Sequence, residues 1–157
     1  MQASTYLPHI DLLLQAMRIN RDRLNSRSKI AIDARLLRTL IQAIIVHLPF
    51  SAEFYQATYP DIALAAAAGH IPDLHRHFVE TGFFEGRAGA PPQVDEPFYR
   101  ALNADVAQAI ARGDVGSGAE HYLVSGAAEG RVPNAATRSD VETWMSILRV
   151  YAPTGED

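Results

Sequence analysis

Apolar side chains recur every three or four residues in three stretches of this chain, which is the spacing of one face of an α-helix. The first stretch follows Pro8 and consists of Ile10, Leu13, Leu14 and Met17. The last stretch follows a capping box of Ser139 and Glu142, whose side chains can satisfy the free N–H groups of a first helical turn. Its apolar positions are Val141, Trp144, Met145, Leu148 and Tyr151. A helix is therefore predicted near each end of the chain.

The remaining stretch predicts a longer helix over residues 28–47 with a wide apolar surface. Two series with a seven-residue spacing run through it, Ile30/Leu37/Ile44 and Ala34/Ile41/Leu48, and Leu36, Leu40 and Ile45 widen the same face. A single antiparallel partner would not cover such a face, so we expect this helix either at the centre of the core or in a contact between subunits. The candidate interface residues are Ile30, Leu37, Ile41, Ile44 and Leu48.

Between these flanking helices the chain matches itself at a shift of 44 residues with no gap. The matched positions are Phe54/Phe98, Tyr55/Tyr99, Asp61/Asp105, Gly69/Gly113, His77/His121, Gly82/Gly126 and the Glu-Gly-Arg triplets at 85–87 and 129–131. So many coincidences at one register predict two copies of one structural unit.

Each copy is predicted to form three short helices. Ser51 and Asp95 are N-cap residues for the first helix, because their side-chain oxygens can accept the free N–H groups of its first turn. The second helix is rich in alanine and ends at Gly69 or Gly113, which can adopt the left-handed stop conformation. The third helix is expected to close at the next matched glycine of each copy.

The predicted fold is all-α and consists of three parts packed as one domain. These parts are an N-terminal helical hairpin (1–49), two tandem three-helix repeat units (50–134, divided into 50–90 and 94–134), and a C-terminal capping helix with a tail (135–157). The end helices would cover the exposed faces of the repeats.

The repeated motif resembles a known helical repeat. The chain has Phe-Tyr, then Tyr59-Pro60-Asp61 or Asn103-Ala104-Asp105, an alanine-rich stretch, His-Phe or His-Tyr, Gly and Glu-Gly-Arg. This order is similar to the F-D-x-x-Y-Y, N-P-D-V, H-Y, G, E-G-R-x-P pattern of a repeat found beside bacterial glycosyltransferases and in bacterial surface-glycan proteins. The chain departs from that pattern at Tyr59, at Ala104 and in lacking a proline after Arg87. The resemblance implies an accessory helical module without catalytic residues of its own.

The Glu-Gly-Arg triplets are the strongest polar feature of the sequence. We expect each arginine to reach back to the matched aspartate or to carbonyl groups at a helix end, while the glycine permits a tight turn. The residues of this structural motif are Asp61, Glu85, Gly86, Arg87, Asp105, Glu129, Gly130 and Arg131. The alternative is a ligand site, in which the arginines bind an anionic or sugar ligand and the candidate stacking residues are Tyr55, Tyr59 and Tyr99.

Composition removes several classes of chemistry. The chain has no cysteine, which excludes disulfides, thiolate metal sites, iron–sulfur clusters and cysteine nucleophiles. No serine elbow, phosphate loop, dinucleotide-binding glycine motif or zinc-binding helix motif occurs, and no cofactor is expected. His75 and His77 are two residues apart and would point to different faces of a helix, so they do not predict a metal site.

The net charge and the positions of the basic residues indicate which classes of partner are expected. A net charge of −4 makes nucleic acid an unfavourable main partner. Half of the basic residues lie in the N-terminal third, at Arg18, Arg21, Arg23, Arg27, Lys29, Arg35 and Arg38. This segment is interpreted as a solvated helix face, with binding to an anionic lipid or protein surface as the alternative.

The functional prediction is a non-catalytic scaffold or adaptor that acts by protein–protein contacts in bacterial polysaccharide synthesis or secretion. Its expected partner is a glycosyltransferase or another glycan-pathway protein, or a second copy of the chain. The alternative is a small ligand-binding or regulatory module that recognises a glycan or an anionic ligand. No apolar run is long enough for a membrane span and no secretory signal is evident, so a cytoplasmic location is expected. A position peripheral to the inner membrane and export by a route without a signal are the alternatives.

Overall fold

The computed structural model describes residues 8–26 and 28–151, and every regular element in that part of the chain is a helix. This confirms the all-α prediction. The chain divides into two compact units, residues 1–90 and 91–157. The boundary falls between the two segments that the sequence match identifies. That all parts pack as one domain stays a prediction.

Unit 1 contains six α-helices and a 3₁₀ helix in its described part. They are α1 (Ile10–Met17), α2 (Arg21–Leu24), α3 (Ala34–Ile45), α4 (Ala52–Thr58), α5 (Pro60–Ala67), α6 (Leu74–Glu80) and the 3₁₀ helix Gly82–Glu85. The region predicted as a two-helix hairpin thus holds three helices, because a one-turn helix capped by Asn20 follows α1.

The helix predicted over residues 28–47 begins later than the apolar pattern suggests. The carboxylate of Asp33 accepts hydrogen bonds from the backbone N–H groups of Arg35 (2.9 Å) and Leu36 (3.4 Å), and these bonds fix the start of α3 at Ala34. Two of the candidate interface residues, Ile30 and Leu48, therefore lie outside the helix. The seven-residue series that begins at Ile30 is not one helical stripe.

The core of unit 1 is an aromatic and aliphatic cluster that joins α3 to the three helices after it. Its buried members are Ile45, Tyr55, Ile62, Phe78 and Val79. Ile41 of α3 packs against the cluster, and so does Phe84. The guanidinium of Arg38 lies 3.9 Å from the centroid of the Phe84 ring and donates to the carbonyl of Glu80. Arg38 stays exposed, as the interpretation of this segment as a solvated helix face expects, and in addition it contacts Phe84 and Glu80. Arg27 of the same basic segment lies outside the described residues.

Unit 2 contains four α-helices and a π-helix in its described part. They are α7 (Glu96–Leu102), α8 (Ala104–Arg112), α9 (Gly118–His121), the π-helix Tyr122–Gly126 and α10 (Arg138–Tyr151). The carboxylate of Glu96 accepts from the backbone N–H groups of Gly118 (2.9 Å) and Ala119 (2.8 Å), which ties the start of α9 to α7. The side chains of Tyr99 and Val106 are almost completely buried.

Helix α10 begins before the predicted capping box. Asn134 Oδ1 accepts from the N–H of Thr137 (2.9 Å), and the carbonyl of Thr137 accepts from the N–H of Val141 (3.0 Å). The first helical residue is consequently Arg138, and Ser139 lies inside the first turn, so its prediction as the cap is wrong. The tail beyond residue 151 and the side chain of Tyr151 lie outside the described residues.

Corresponding hydrogen bonds recur in the two units at a spacing of 44 residues. The N–H of Ser51 donates to the carbonyl of Gly89 (2.8 Å), and the N–H of Asp95 donates to the carbonyl of Pro133 (3.1 Å). In each unit this bond joins the residue before the first helix to the segment after the Glu-Gly-Arg triplet. The left-handed backbone also recurs, at Gly69 and Gly113 with φ of 77° and 80°.

Candidate functional site

In unit 1 the triplet arginine lies between two carboxylates. Nη1 and Nη2 of Arg87 donate to the two carboxylate oxygens of Asp61 at 3.0 Å and 2.8 Å, and Nε donates to Glu85 at 2.8 Å. A fork of this kind fixes the guanidinium plane as well as its charge. The side chain of Arg87 is only 20% exposed, whereas both carboxylates are largely solvated.

This arrangement of one arginine and two carboxylates is called the arginine cluster. It recurs in unit 2 with one additional partner of the arginine. Arg131 donates from Nη1 and Nη2 to Asp105 at 2.9 Å and 2.7 Å, and from Nε to Glu129 at 2.6 Å. Its Nη1 also donates to Oδ1 of Asn103 at 2.9 Å. Asn103 is 8% exposed, and its amide nitrogen donates to the carbonyl of Tyr99. The guanidinium thus connects a surface carboxylate to a buried amide.

The glycine of each triplet makes the turn that aims the arginine. Gly86 and Gly130 have φ of 79° and 69°, in the left-handed region that favours glycine. The N–H of Arg87 donates to the carbonyl of Gly82, and the N–H of Arg131 donates to the carbonyl of Gly126, both at 2.9 Å. This bond closes the turn and fixes the backbone from which the arginine side chain extends.

The electrostatics of the clusters do not suit an anionic ligand. Each cluster contains one guanidinium and two carboxylates, and hydrogen bonds from the guanidinium hold the pKa of Asp61 and of Asp105 below the ordinary value. The same bonds raise the pKa of Arg87 and of Arg131 further. The positive charge of each arginine is already matched inside the protein, and the cluster as a whole is negative.

Asp105 carries the clearest pH prediction. Hydrogen bonds from Arg131, the largest cause, lower its pKa from 3.8 to about 2. A lowered pKa in the folded state means that the carboxylate contributes stability at pH values above 3.8, and that this contribution is lost as the pH falls towards 2. We expect the carboxyl carbon of Asp105, followed by NMR, to titrate near 2 in the folded wild type and to move towards 3.8 in Arg131→Ala. Titration near 3.8 in the folded wild type would contradict the ion pair.

Two of the predicted ligand-stacking residues are buried. Tyr55 and Tyr99 have zero exposure, and their hydroxyls are hydrogen-bonded to Nδ1 of His77 (3.1 Å) and of His121 (3.0 Å). Burial raises the pKa of Tyr55 to about 12 and raises that of Tyr99 as well. The prediction that these rings stack on a ligand is wrong, because both faces of each ring already pack inside its own unit.

Tyr59 also has internal partners. Its ring centroid lies 4.9 Å from the guanidinium carbon of Arg87, and its hydroxyl accepts from the N–H of Ala88 at 2.7 Å. Tyr59 corresponds to Asn103 in the 44-residue match, and both residues contact the arginine of their own cluster. Sequence reasoning missed Asn103, although its alignment with Tyr59 was a usable signal.

The candidate interface residues of α3 separate into packed and exposed groups. Ile41 is partly buried and packs on the core of unit 1, and its place in an interface stays a prediction. Leu37 and Ile44 of α3 are exposed, and Ile44 is the more exposed of the two at 67%. Leu48 and Ile30 are also exposed, but they lie beyond the two ends of the helix. What remains of the predicted apolar surface is therefore centred on Ile44.

Residues 8–26 and 28–151 contain no cluster of three or more histidine or acidic side chains that could hold a metal ion. They also contain no helix that is long and apolar enough to cross a membrane.

Comparison with known proteins gives no relative from which a site could be transferred. No protein-family model, no curated protein and no solved structure matches the chain.

Proposed function

We propose that the chain is a non-catalytic scaffold or adaptor that acts by protein–protein contacts in bacterial polysaccharide synthesis or secretion. Its working part is a tandem of two three-helix repeats, residues 50–90 and 94–134, flanked by the N-terminal helices and α10. The recurrence of the same hydrogen bonds at a 44-residue spacing supports the tandem. The place in glycan synthesis rests on the resemblance of the repeat motif. A cytoplasmic location is part of the same proposal.

The single observation that carries the scaffold proposal is that the repeated polar side chains are bonded internally, whereas apolar side chains of α3 are exposed. The repeated polar residues, which the sequence offered as candidates for a ligand site, are used in internal hydrogen bonds. The apolar surface of α3, in contrast, presents Leu37 and Ile44 to solvent. Exposed apolar groups gathered on one helix are typical of a protein contact.

We propose a second copy of the chain, or a glycan-pathway protein such as a glycosyltransferase, as the partner of this surface. Ile44→Glu should weaken self-association at least about tenfold, because the contact would have to desolvate the new carboxylate. Leu64→Glu is the matched control, since Leu64 lies on α5 of the same unit and is 73% exposed. Sedimentation equilibrium of the wild type and of both variants measures the effect.

The same pair of variants tests a partner other than a second copy. Copurification of glycan-pathway proteins from the native host should be lost with Ile44→Glu and retained with Leu64→Glu. A chain that stays monomeric at high concentration and whose copurifying proteins do not depend on Ile44 would overturn the proposal.

A further inference from the structure

A cavity of about 370 Å³ lies within unit 2, beneath α10. It is bounded on one side by α10 and on the other by the π-helix and the turn around Gly130. The thioether of Met145 packs directly over Gly130, so that a Cβ atom at this position would overlap the sulfur. Gly130 thus has two roles, because it makes the triplet turn and leaves space for α10. The cavity volume is within the range of small-molecule sites.

The walls of the cavity are aromatic and aliphatic. The lining includes Tyr122, Trp144, Val141 and Met145. Trp144 is the only tryptophan of the chain and is 64% exposed, although it borders a cavity large enough to receive a ligand. A tryptophan that packed only for stability would be expected to be more completely covered.

The cavity lining contains two charged side chains of opposite sign. Arg131 lines it, but its guanidinium is paired with Asp105 and Glu129. Asp140 lines it too, and among the described residues this carboxylate has no hydrogen bond or ion pair. Asp140 and Trp144 are one helical turn apart, so they share a face of α10. The cavity therefore offers an indole ring and an unpaired carboxylate side by side.

We propose that this cavity binds an alkylammonium group. The faces of Trp144 and Tyr122 attract a cation through their ring quadrupoles, and the carboxylate of Asp140 supplies the opposite charge. The aliphatic walls receive the methyl or methylene groups around the nitrogen. The ammonium group belongs either to a small quaternary amine or to a lysine side chain of a protein segment. This site is separate from α3 and does not depend on the scaffold proposal.

Trp144 makes the proposal directly measurable, because all tryptophan fluorescence comes from the cavity wall. The full chain is titrated with choline, with 3,3-dimethylbutan-1-ol as the neutral molecule of the same shape, and with N-acetyl-lysine methylamide as the model of a protein side chain. We expect choline or the lysine derivative to saturate the signal with a Kd on the order of 1 mM, at least about tenfold below that of the alcohol, which corresponds to about 1.4 kcal/mol. The better of the two cations identifies the source of the ammonium group.

Two variants separate the site from a general effect of charge. Asp140→Asn should weaken binding of the cation about fivefold or more and leave binding of the alcohol unchanged, since only the ionic contribution is removed. Asp114→Asn is the control, because Asp114 is a solvated carboxylate of unit 2 outside the cavity, paired with Arg112. Circular dichroism verifies that both variants fold. No saturable signal from either cation, equal affinity for the alcohol, or equal weakening by Asp114→Asn would each overturn the proposal.

Discussion

Gly82→Ala is expected to lower the free energy of unfolding by about 3 kcal/mol, the upper end of the cost of overpacking a core. A Cβ atom at this buried position would overlap the hydroxyl of Tyr55 and approach its Cζ to 3.2 Å. Tyr55 has little room to move, because its ring is fully buried and its hydroxyl is hydrogen-bonded to His77. Thermal or urea unfolding of the purified variant measures the loss.

A double-mutant cycle with Tyr55→Phe tests the physical reason. Removal of the hydroxyl deletes the atom that the new methyl group would overlap, so Gly82→Ala should be milder by about 1 kcal/mol or more in the phenylalanine background. Gly69→Ala is the control, since no atom lies within 4 Å of its Cβ position and only the left-handed backbone at φ 77° opposes the change. Its cost should be about 1 kcal/mol. Equal losses for Gly82→Ala in both backgrounds would show that overlap with the hydroxyl is not the cause.

The predicted role of two matched glycines is part of the role that the structure gives them. Gly82 and Gly126 were predicted to close the third helix of each copy. In unit 2 the π-helix ends at Gly126, and in unit 1 the helix ends at Glu80, with only Thr81 between it and Gly82. Both positions exclude a side chain because a buried tyrosine hydroxyl comes too close. The 44-residue match indicates that a glycine is needed at these positions. Only the three-dimensional packing shows that the neighbouring tyrosine hydroxyl is the reason.

Local features were the most predictable part of the fold. Ser51 and Asp95 cap helices, as predicted, because a cap depends only on three or four consecutive residues. The start of α3 was missed because the apolar series was extended through Asp33, a residue whose own side chain caps the helix. At α3 the helix boundary is thus marked by the capping carboxylate and not by the apolar spacing.

The burial of each tyrosine ring could not be predicted from the sequence. Tyr55, Tyr59 and Tyr99 look alike in a motif, and each offers an aromatic face and a hydroxyl. Whether that face is available depends on contacts with residues such as His77, which lies 22 positions further along the chain. The 44-residue match shows that these positions correspond, but not that their rings are buried. Burial is therefore the property that changed the interpretation of the candidate site most.

Arg131→Ala should lower the free energy of unfolding by about 2 to 3 kcal/mol, since hydrogen bonds to charged groups contribute more than neutral ones and a buried partner loses its donor. The buried partner is Oδ1 of Asn103, which accepts from Nη1 of the arginine at 2.9 Å. Two carboxylates, Asp105 and Glu129, would be left close together without the cation between them. Thermal unfolding near neutral pH measures the change.

Two further arginine variants distinguish a structural clamp, in which one guanidinium holds Asp105, Glu129 and Asn103 together, from an ordinary ion pair. Arg131→Lys should recover less than half of the loss, because an ammonium group cannot reproduce the fork that reaches Asp105, Glu129 and Asn103 together. Arg112→Ala should change stability by no more than about 0.5 kcal/mol, because its pair with Asp114 is solvent-exposed on both sides. If Arg131→Ala melts at the wild-type temperature, or if lysine restores full stability, the guanidinium is not a structural clamp. The cluster in unit 2 would then have free capacity for a ligand, and the assignment of the repeated charges to internal structure would fail with it.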